Sequence, residues 1–110
     1  MSNKQKMVVA YPAIFTPEEN GGYLIEFPDI QGAFTGINND DLGYGMEMAS
    51  EVLGLTVADY LESGDDLSKP TAVNKVKHKE GSFVTLVSTD VSKYLDNQNA
   101  IKENINFQHY

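Results

Sequence analysis

Alternating apolar and polar positions, interrupted by turn residues, divide this sequence into five elements. In Met7–Phe15 the residues Met7, Val9, Tyr11, Ala13 and Phe15 share one face with a period of two, which predicts a strand. Pro12 lies within it and has no N–H for a ladder, so it is expected to face outward from an edge or sit at a bulge. Thr16–Gly22 (TPEENGG) supplies a turn, and Tyr23–Phe27 follows as a second strand, giving an antiparallel hairpin. Pro28 and Asp29 end that strand, and Gly32 permits a reversal into a third, Ala33–Ile37.

After Ile37 the period changes. Asn38, Asn39, Asp40 and Asp41 form a polar loop able to cap the free N–H groups of a helix over Leu42–Glu62. At 100° per residue, Leu42, Met46, Ala49, Leu53, Val57 and Tyr60 fall in one narrow stripe, expected to pack on the sheet. Tyr44, Met48, Val52 and Leu55 form a second apolar stripe beside it. Only the arc with Gly43, Glu47, Ser50, Glu51 and Gly54 is polar or small. The apolar arc is wider than one sheet face needs, so a C-terminal segment or another subunit is expected to cover the remainder. Glycine costs about 1 kcal/mol relative to alanine inside a helix. Close backbone packing is the expected compensation at Gly43, Gly45 and Gly54.

Gly64 is placed to terminate the helix. Leu67–Ala72 reads as a loop, and Lys75, Lys77, His78 and Lys79 make a local basic patch. Ser82–Val91 (SFVTLVSTDV) is the fourth strand, expected to return to the sheet by a right-handed crossover. The order is therefore β-β-β-α-β, an α+β fold with a three-stranded antiparallel meander, a crossover helix and a returning strand. A short helical turn is expected at Ser92–Leu95. Beyond it, Asp96–Asn99 is polar, and Ala100–Tyr110 is weakly helical around Ile101, Ile105 and Phe107.

At 110 residues the chain suits one domain. No apolar run approaches the ~20 residues of a membrane span. The start of the chain has no small-residue cleavage site, and with no cysteine there is no disulfide framework and no thiolate ligand or nucleophile. A reducing cytoplasm fits that composition. The formal net charge of −8 repels phosphate at long range, and arginine, the residue best suited to bidentate phosphate contacts, is missing. A basic protein is the electrostatically natural partner, and solubility alone also accounts for the charge.

The β-β-β-α-β order resembles the first half of a ribonuclease H-like fold and raises a nuclease alternative. Two-metal phosphodiester cleavage needs carboxylates that bring two ions ~3.5–4 Å apart. The helix offers Glu47 or Glu51 and the last strand offers Asp90, but Met7–Phe15 contains no acid. Glu26 on the second strand is a poor substitute. His78 and His109 have no visible partner and no metal-ligand spacing. No G-x-S-x-G occurs, and Gly43-x-Gly45 lacks the third glycine of a dinucleotide fingerprint. Asp40-Asp41 reads as a helix start with charge at the positive dipole end. The lysine-rich segment has no interleaved aromatics to mark RNA binding. By this inventory the chain is not an enzyme and needs no metal or cofactor.

Several motifs in order carry a family resemblance. They are Tyr11-Pro12-Ala13-Ile14, Gly21-Gly22-Tyr23, Glu26-Phe27-Pro28-Asp29-Ile30-Gln31-Gly32, Thr35-Gly36, and Ser82–Leu95 with its closing D-x-S-K-Y-L. Together they resemble the HicB antitoxin family over Met7–Leu95. The resemblance implies a type II antitoxin with a partial ribonuclease H-like fold, which binds and occludes a small basic HicA-type mRNA-cleaving toxin and assembles as dimers or tetramers. Members of that family usually continue into a ribbon-helix-helix or helix-turn-helix segment. Here Asp96–Tyr110 is too short for a complete DNA-binding module, so the division expected is an antitoxin domain over 1–95 and a short tail over 96–110, with operator binding left open.

The reading is thus a cytoplasmic antitoxin acting by stoichiometric protein–protein contact. Charge alone points to Glu26, Asp29, Asp40, Asp41, Glu47 and Glu51 as toxin contacts. The surplus apolar stripe points to Tyr44, Met48, Val52 and Leu55 for self-association. A residual ribonuclease H-type nuclease is the runner-up from another class, with the acid-free first strand against it, and an orphan adaptor of the same fold is a third reading.

Overall fold

The architecture, taken from a computed structural model, is described for residues 6–95. Strand β1 spans Val8–Pro17, β2 Tyr23–Glu26 and β3 Phe34–Ile37. Helix α1 runs over Leu42–Ser63, a 3-10 turn η1 over Val73–Lys75, and β4 over Phe83–Asp90. The four strands and α1 each lie within two residues of their expected spans, because each boundary carries its own turn or cap chemistry, whereas η1 was not expected.

The sheet order is β3-β2-β1-β4, and every neighbouring pair is antiparallel. The helix does return the chain to the opposite side of the sheet, but β4 runs antiparallel to β1 and hence to β3. The handedness rule for parallel crossovers therefore does not govern the connection. The reason is the long segment between Gly64 and Ser82, which carries the chain back along the sheet before β4 starts opposite Phe15. Three hydrogen bonds fasten this segment to β1 and to the turn after β2. The Tyr11 hydroxyl donates to Ser68 C=O at 2.7 Å, and Asp29 accepts from the N–H and hydroxyl of Thr71 at 2.8 and 2.7 Å.

Pro12 corrects the expectation of an edge or a bulge. It sits in an inner strand, with Leu86 of β4 opposite it in an unbroken register. Val91 N–H donates to Met7 C=O, so in the antiparallel alternation the odd residues of β1 aim their main-chain groups at β4. The nitrogen of Pro12 points the other way. On that side β2 pairing has already ended at Ile14↔Glu26, so no ladder bond is lost.

Tyr11, Ala13 and Phe15 of β1, Ile25 of β2 and Val87 of β4 form the sheet side of the core, with Ala49, Leu53, Val57 and Ala58 on the helix side. Phe15 stacks on Phe83 at 4.9 Å between ring centroids, and Tyr23 meets both rings edge-on. The expected sheet-facing stripe is correct for Ala49, Leu53 and Val57 and wrong at its start. Leu42 and Met46 are 43% and 37% exposed, while Gly45 and Gly54 are buried. The absence of a side chain at Gly45 decides this. An added Cβ there would lie 3.1 Å from Ile37 Cδ1 and 3.2 Å from Phe15 Cε2, so the helix approaches the sheet along Gly45 and turns Leu42 and Met46 to the flank. At Gly54 a Cβ would lie 2.9 Å from Thr89 Oγ1 and run into the ring of Tyr94.

A Cβ at Gly43 would make only an ordinary contact, 3.4 Å from Asp41 Oδ1, so close packing does not explain this glycine. The three helical glycines therefore separate in one experiment. Gly54→Ala gains helix propensity but overpacks the core, for a net loss of about 1–2 kcal/mol. Gly43→Ala gains about 0.5–1 kcal/mol. Denaturant unfolding of both variants checks the opposite signs.

Candidate functional site

The acids singled out by charge divide into two groups by what their carboxylates already hold. Asp41 is the N-cap of α1, and its Oδ1 accepts from Tyr44 N–H at 3.1 Å. The side chain of Asn39 accepts from Asp41 N–H at 3.0 Å and shapes the approach to that cap. Asp40 Oδ1 accepts from Gly22 N–H at 2.9 Å, tying the β1–β2 turn to the start of the helix. Gly22 has φ +85, and a Cβ there would collide with Ile37 C=O. Asp29 holds Thr71, as described above. These three acids are structural fasteners within the fold.

Glu26, Glu47 and Glu51 are exposed. Glu47 and Glu51 lie one helical turn apart on the outer side of α1. Glu26 follows Ile25, whose side chain faces the core, so it projects from the far face of the sheet. The sheet therefore separates Glu26 from the helix pair, and the six acids make no single patch. The second apolar stripe is largely open. Tyr44 and Leu55 are 44% and 41% exposed, and Met48 and Val52 are half-buried. What covers the helix elsewhere is the turn after β4, where Tyr94 and Leu95 pack against the core. The residues of the proposed tail, 96–110, lie outside the described residues.

Asp90, weighed in the sequence as a metal-ligand candidate, has a different task. Its Oδ1 accepts from Met7 N–H at 3.0 Å, from Ser92 N–H at 3.2 Å and from the Ser92 hydroxyl at 2.7 Å. It thereby joins the start of β1 to the helical turn that follows β4, where Tyr94 and Leu95 N–H both donate to Val91 C=O. The Asp-x-Ser spacing was the signal for this cap. Among the described residues no group of three or more His, Cys, Asp or Glu is placed to hold a metal ion. His78 is exposed, its Nδ1 2.8 Å from the Ser82 hydroxyl. A shallow polar cleft lined by Glu18, Glu19, Asn20, Gly21 and Asn38 lies at the β1–β2 turn. No helix among the described residues is long and apolar enough to cross a membrane.

An antiparallel four-stranded sheet with a single helix packed on one face defines a small α+β domain. A family model described as the HicB-like antitoxin of bacterial toxin-antitoxin systems matches residues 11–110, and the chain belongs to that family. It is similar to a solved chain of a toxin-antitoxin complex from Streptococcus pneumoniae, at 32% identity and a TM-score of 0.69, covering 81% of this chain and 74% of that one. Two more distant structures share the fold. One is a chain of the HicA3 and HicB3 toxin-antitoxin complex, at 22% identity and a TM-score of 0.60, covering 74% of this chain and 99% of that one. The other is the Burkholderia pseudomallei antitoxin HicB, at 18% identity and a TM-score of 0.63, covering 93% and 88%. No curated protein matches this sequence.

The Asp90 clamp has a pH signature. The Met7 N–H first, then the Ser92 hydroxyl, hold its carboxyl below the usual carboxylate range. A carboxylate with a lowered folded pKa contributes stability that is complete above its unfolded value of about 3.9 and is lost as pH falls through the folded value. Asp90→Asn therefore lowers the unfolding midpoint at pH 7. It also flattens the acid limb below pH 4, so that variant and parent converge there. Thermal unfolding from pH 7 to pH 2 measures both effects.

Proposed function

We propose that this chain is an antitoxin that binds and occludes a small, basic HicA-like toxin through stoichiometric protein–protein contact. The observation that carries this reading is the family match over nearly the whole chain, joined by the 32% identical relative solved in a toxin-antitoxin complex. A net charge of −8 supports it, since an acidic surface steers a basic partner and speeds its encounter. The action is masking, not catalysis. The β-β-β-α-β order supports a partial ribonuclease H-like scaffold, and the Asp90 carboxylate, which a nuclease of that order would use, is committed to Met7 and Ser92. Such masking belongs in the cytoplasm, beside the mRNA the toxin cuts.

The toxin contacts come from the acids Glu26, Asp29, Asp40, Asp41, Glu47 and Glu51. Within that set Glu47 and Glu51 are the stronger candidates, because they are exposed, adjacent and not engaged in the hydrogen bonds that hold Asp29, Asp40 and Asp41. The half-exposed flank of Tyr44, Met48, Val52 and Leu55 runs along the same helix and is proposed for self-association.

Co-expression with the HicA-like protein encoded beside this gene tests the function, with growth rescue and co-purification as readouts. Rescue with a stable complex is the expected outcome; toxicity unrelieved by a folded chain overturns it. The double variant Glu47→Lys/Glu51→Lys is expected to weaken the complex about 10- to 100-fold while leaving the unfolding midpoint within a few degrees. Calorimetric titration that finds unchanged affinity removes the helix pair from the interface.

A further inference from the structure

Helix α1 and strand β4 separate toward their starting ends. Gly43, Ser50 and Gly54 lie on the side of the helix that faces β4, because residues four and seven apart return to the same side. At Gly54 this side is full, with Thr89 and Tyr94 within reach of an added Cβ. At Ser50 it touches β4 through the hydroxyl, which donates to Ser88 C=O at 2.8 Å. At Gly43, two turns earlier, a Cβ would meet Asp41 Oδ1 of the helix cap, and no atom of β4 lies within 4 Å.

Phe83 forms the floor of the resulting wedge. Its ring stacks on Phe15 at 4.9 Å, and Phe15 Cε2 would lie 3.2 Å from a Cβ at Gly45, which places Phe83 beside the first turns of α1. Met46 follows Gly45 and precedes Ser50 by one turn, so it stands over the same opening, with Leu42 one turn before it. Met46 and Phe83 are each 37% exposed and Leu42 is 43% exposed. Three large apolar side chains therefore border a gap that the described residues leave open. Gly43 stands at its mouth, although it costs helix propensity and no close contact requires it.

Charge is unequal on the two sides of the wedge. Gly43, Glu47 and Glu51 follow one another at single turns, and both glutamates are exposed. Lysine and arginine are absent from Met7 through Ser68. On the other side Lys77 and Lys79 precede Phe83, and Glu80 offsets one of them. The helix side is thus the negative one. An occupant that fits carries an apolar side chain with positive charge next to it.

We propose that this wedge anchors the basic HicA-like toxin, which seats an apolar side chain between Met46 and Phe83, past Gly43, and sets cationic side chains against Glu47 and Glu51. This role for the wedge rests on the antitoxin reading and gives it a location. An apolar anchor held in a pocket carries most of the binding energy of an interface, and the contacts around it mainly exclude water. Methionine suits the wall of such a pocket, since its unbranched side chain adapts to what enters. Gly43 has its use here, in leaving the mouth clear.

Calorimetric titration of the full chain with the HicA-like protein encoded beside this gene tests the site, with Gly43→Leu and Met46→Ala compared with the parent. Gly43→Leu fills the mouth and is expected to raise the dissociation constant at least about 10-fold. Its denaturant midpoint should stay at or above the parent's, because leucine favours the helix and meets open space. Met46→Ala removes one wall and is expected to weaken the complex about 10-fold. Resonances of the methionine methyl groups give an independent reading, with Met46 shifting on addition of the toxin and Met7 unmoved. A parent that does not bind overturns the antitoxin reading and this site together. A parent that binds while Gly43→Leu binds equally well, or while the Met46 methyl stays unmoved, overturns the site alone. A Gly43→Leu chain that keeps its toxin affinity but self-associates less also overturns it, and assigns the wedge to a second copy.

Discussion

The close approach of one helix to the sheet at two glycines is the constraint on which the rest of the molecule depends. A helix packed through leucines stands about 10 Å from a sheet, whereas Gly45 and Gly54 let the α1 backbone settle onto Phe15, Ile25, Ile37 and Tyr94. That contact costs helix propensity twice and is repaid by burial of Phe15, Leu53 and Val57. It also sets which helix residues face outward. Leu42 and Met46 are turned to one flank, and Tyr44 and Leu55 remain open on another.

Once the helix is seated, polar side chains are divided between holding the fold and facing solvent. Asp40 joins the first turn to the helix start, Asp29 fastens the long return segment, and Asp90 closes the end of β4 onto the start of β1. Each satisfies N–H groups that regular structure leaves unpaired at a junction. Glu26, Glu47 and Glu51 have no such task. Substitution of these exposed acids leaves in place the acids that maintain the fold.

Much of this was readable along the chain. Five element spans follow from period and turn chemistry, a cap from the Asn38–Asp41 loop, which the structure assigns to Asp41, and Gly64 from its place after the helix. The family motifs turn out to mark junction chemistry. Gly22 needs positive φ beneath Ile37 C=O, Asp29 receives Thr71, and Asp90 and Ser92 form the terminal clamp. The helix wheel succeeded at Ala49, Leu53 and Val57 and failed at Leu42 and Met46, because a wheel takes hydrophobicity as its guide and a glycine ridge is silent on that scale. Pro12 was misplaced for a related reason: the side of the strand that its nitrogen faces depends on where β2 stops.

The sequence by itself determined the elements, their caps and the family, since these depend on residues close together in the chain or on motifs in fixed order. Tertiary structure decided the direction of β4, the row along which the helix meets the sheet, and which acids remain unengaged. It also decided that β4, not β1, presents an open edge. Those outcomes depend on pairings across 42 to 83 positions, as between Asp29 and Thr71 or Met7 and Asp90. Such pairings are chosen by the geometry of packing and leave no periodic trace in the chain.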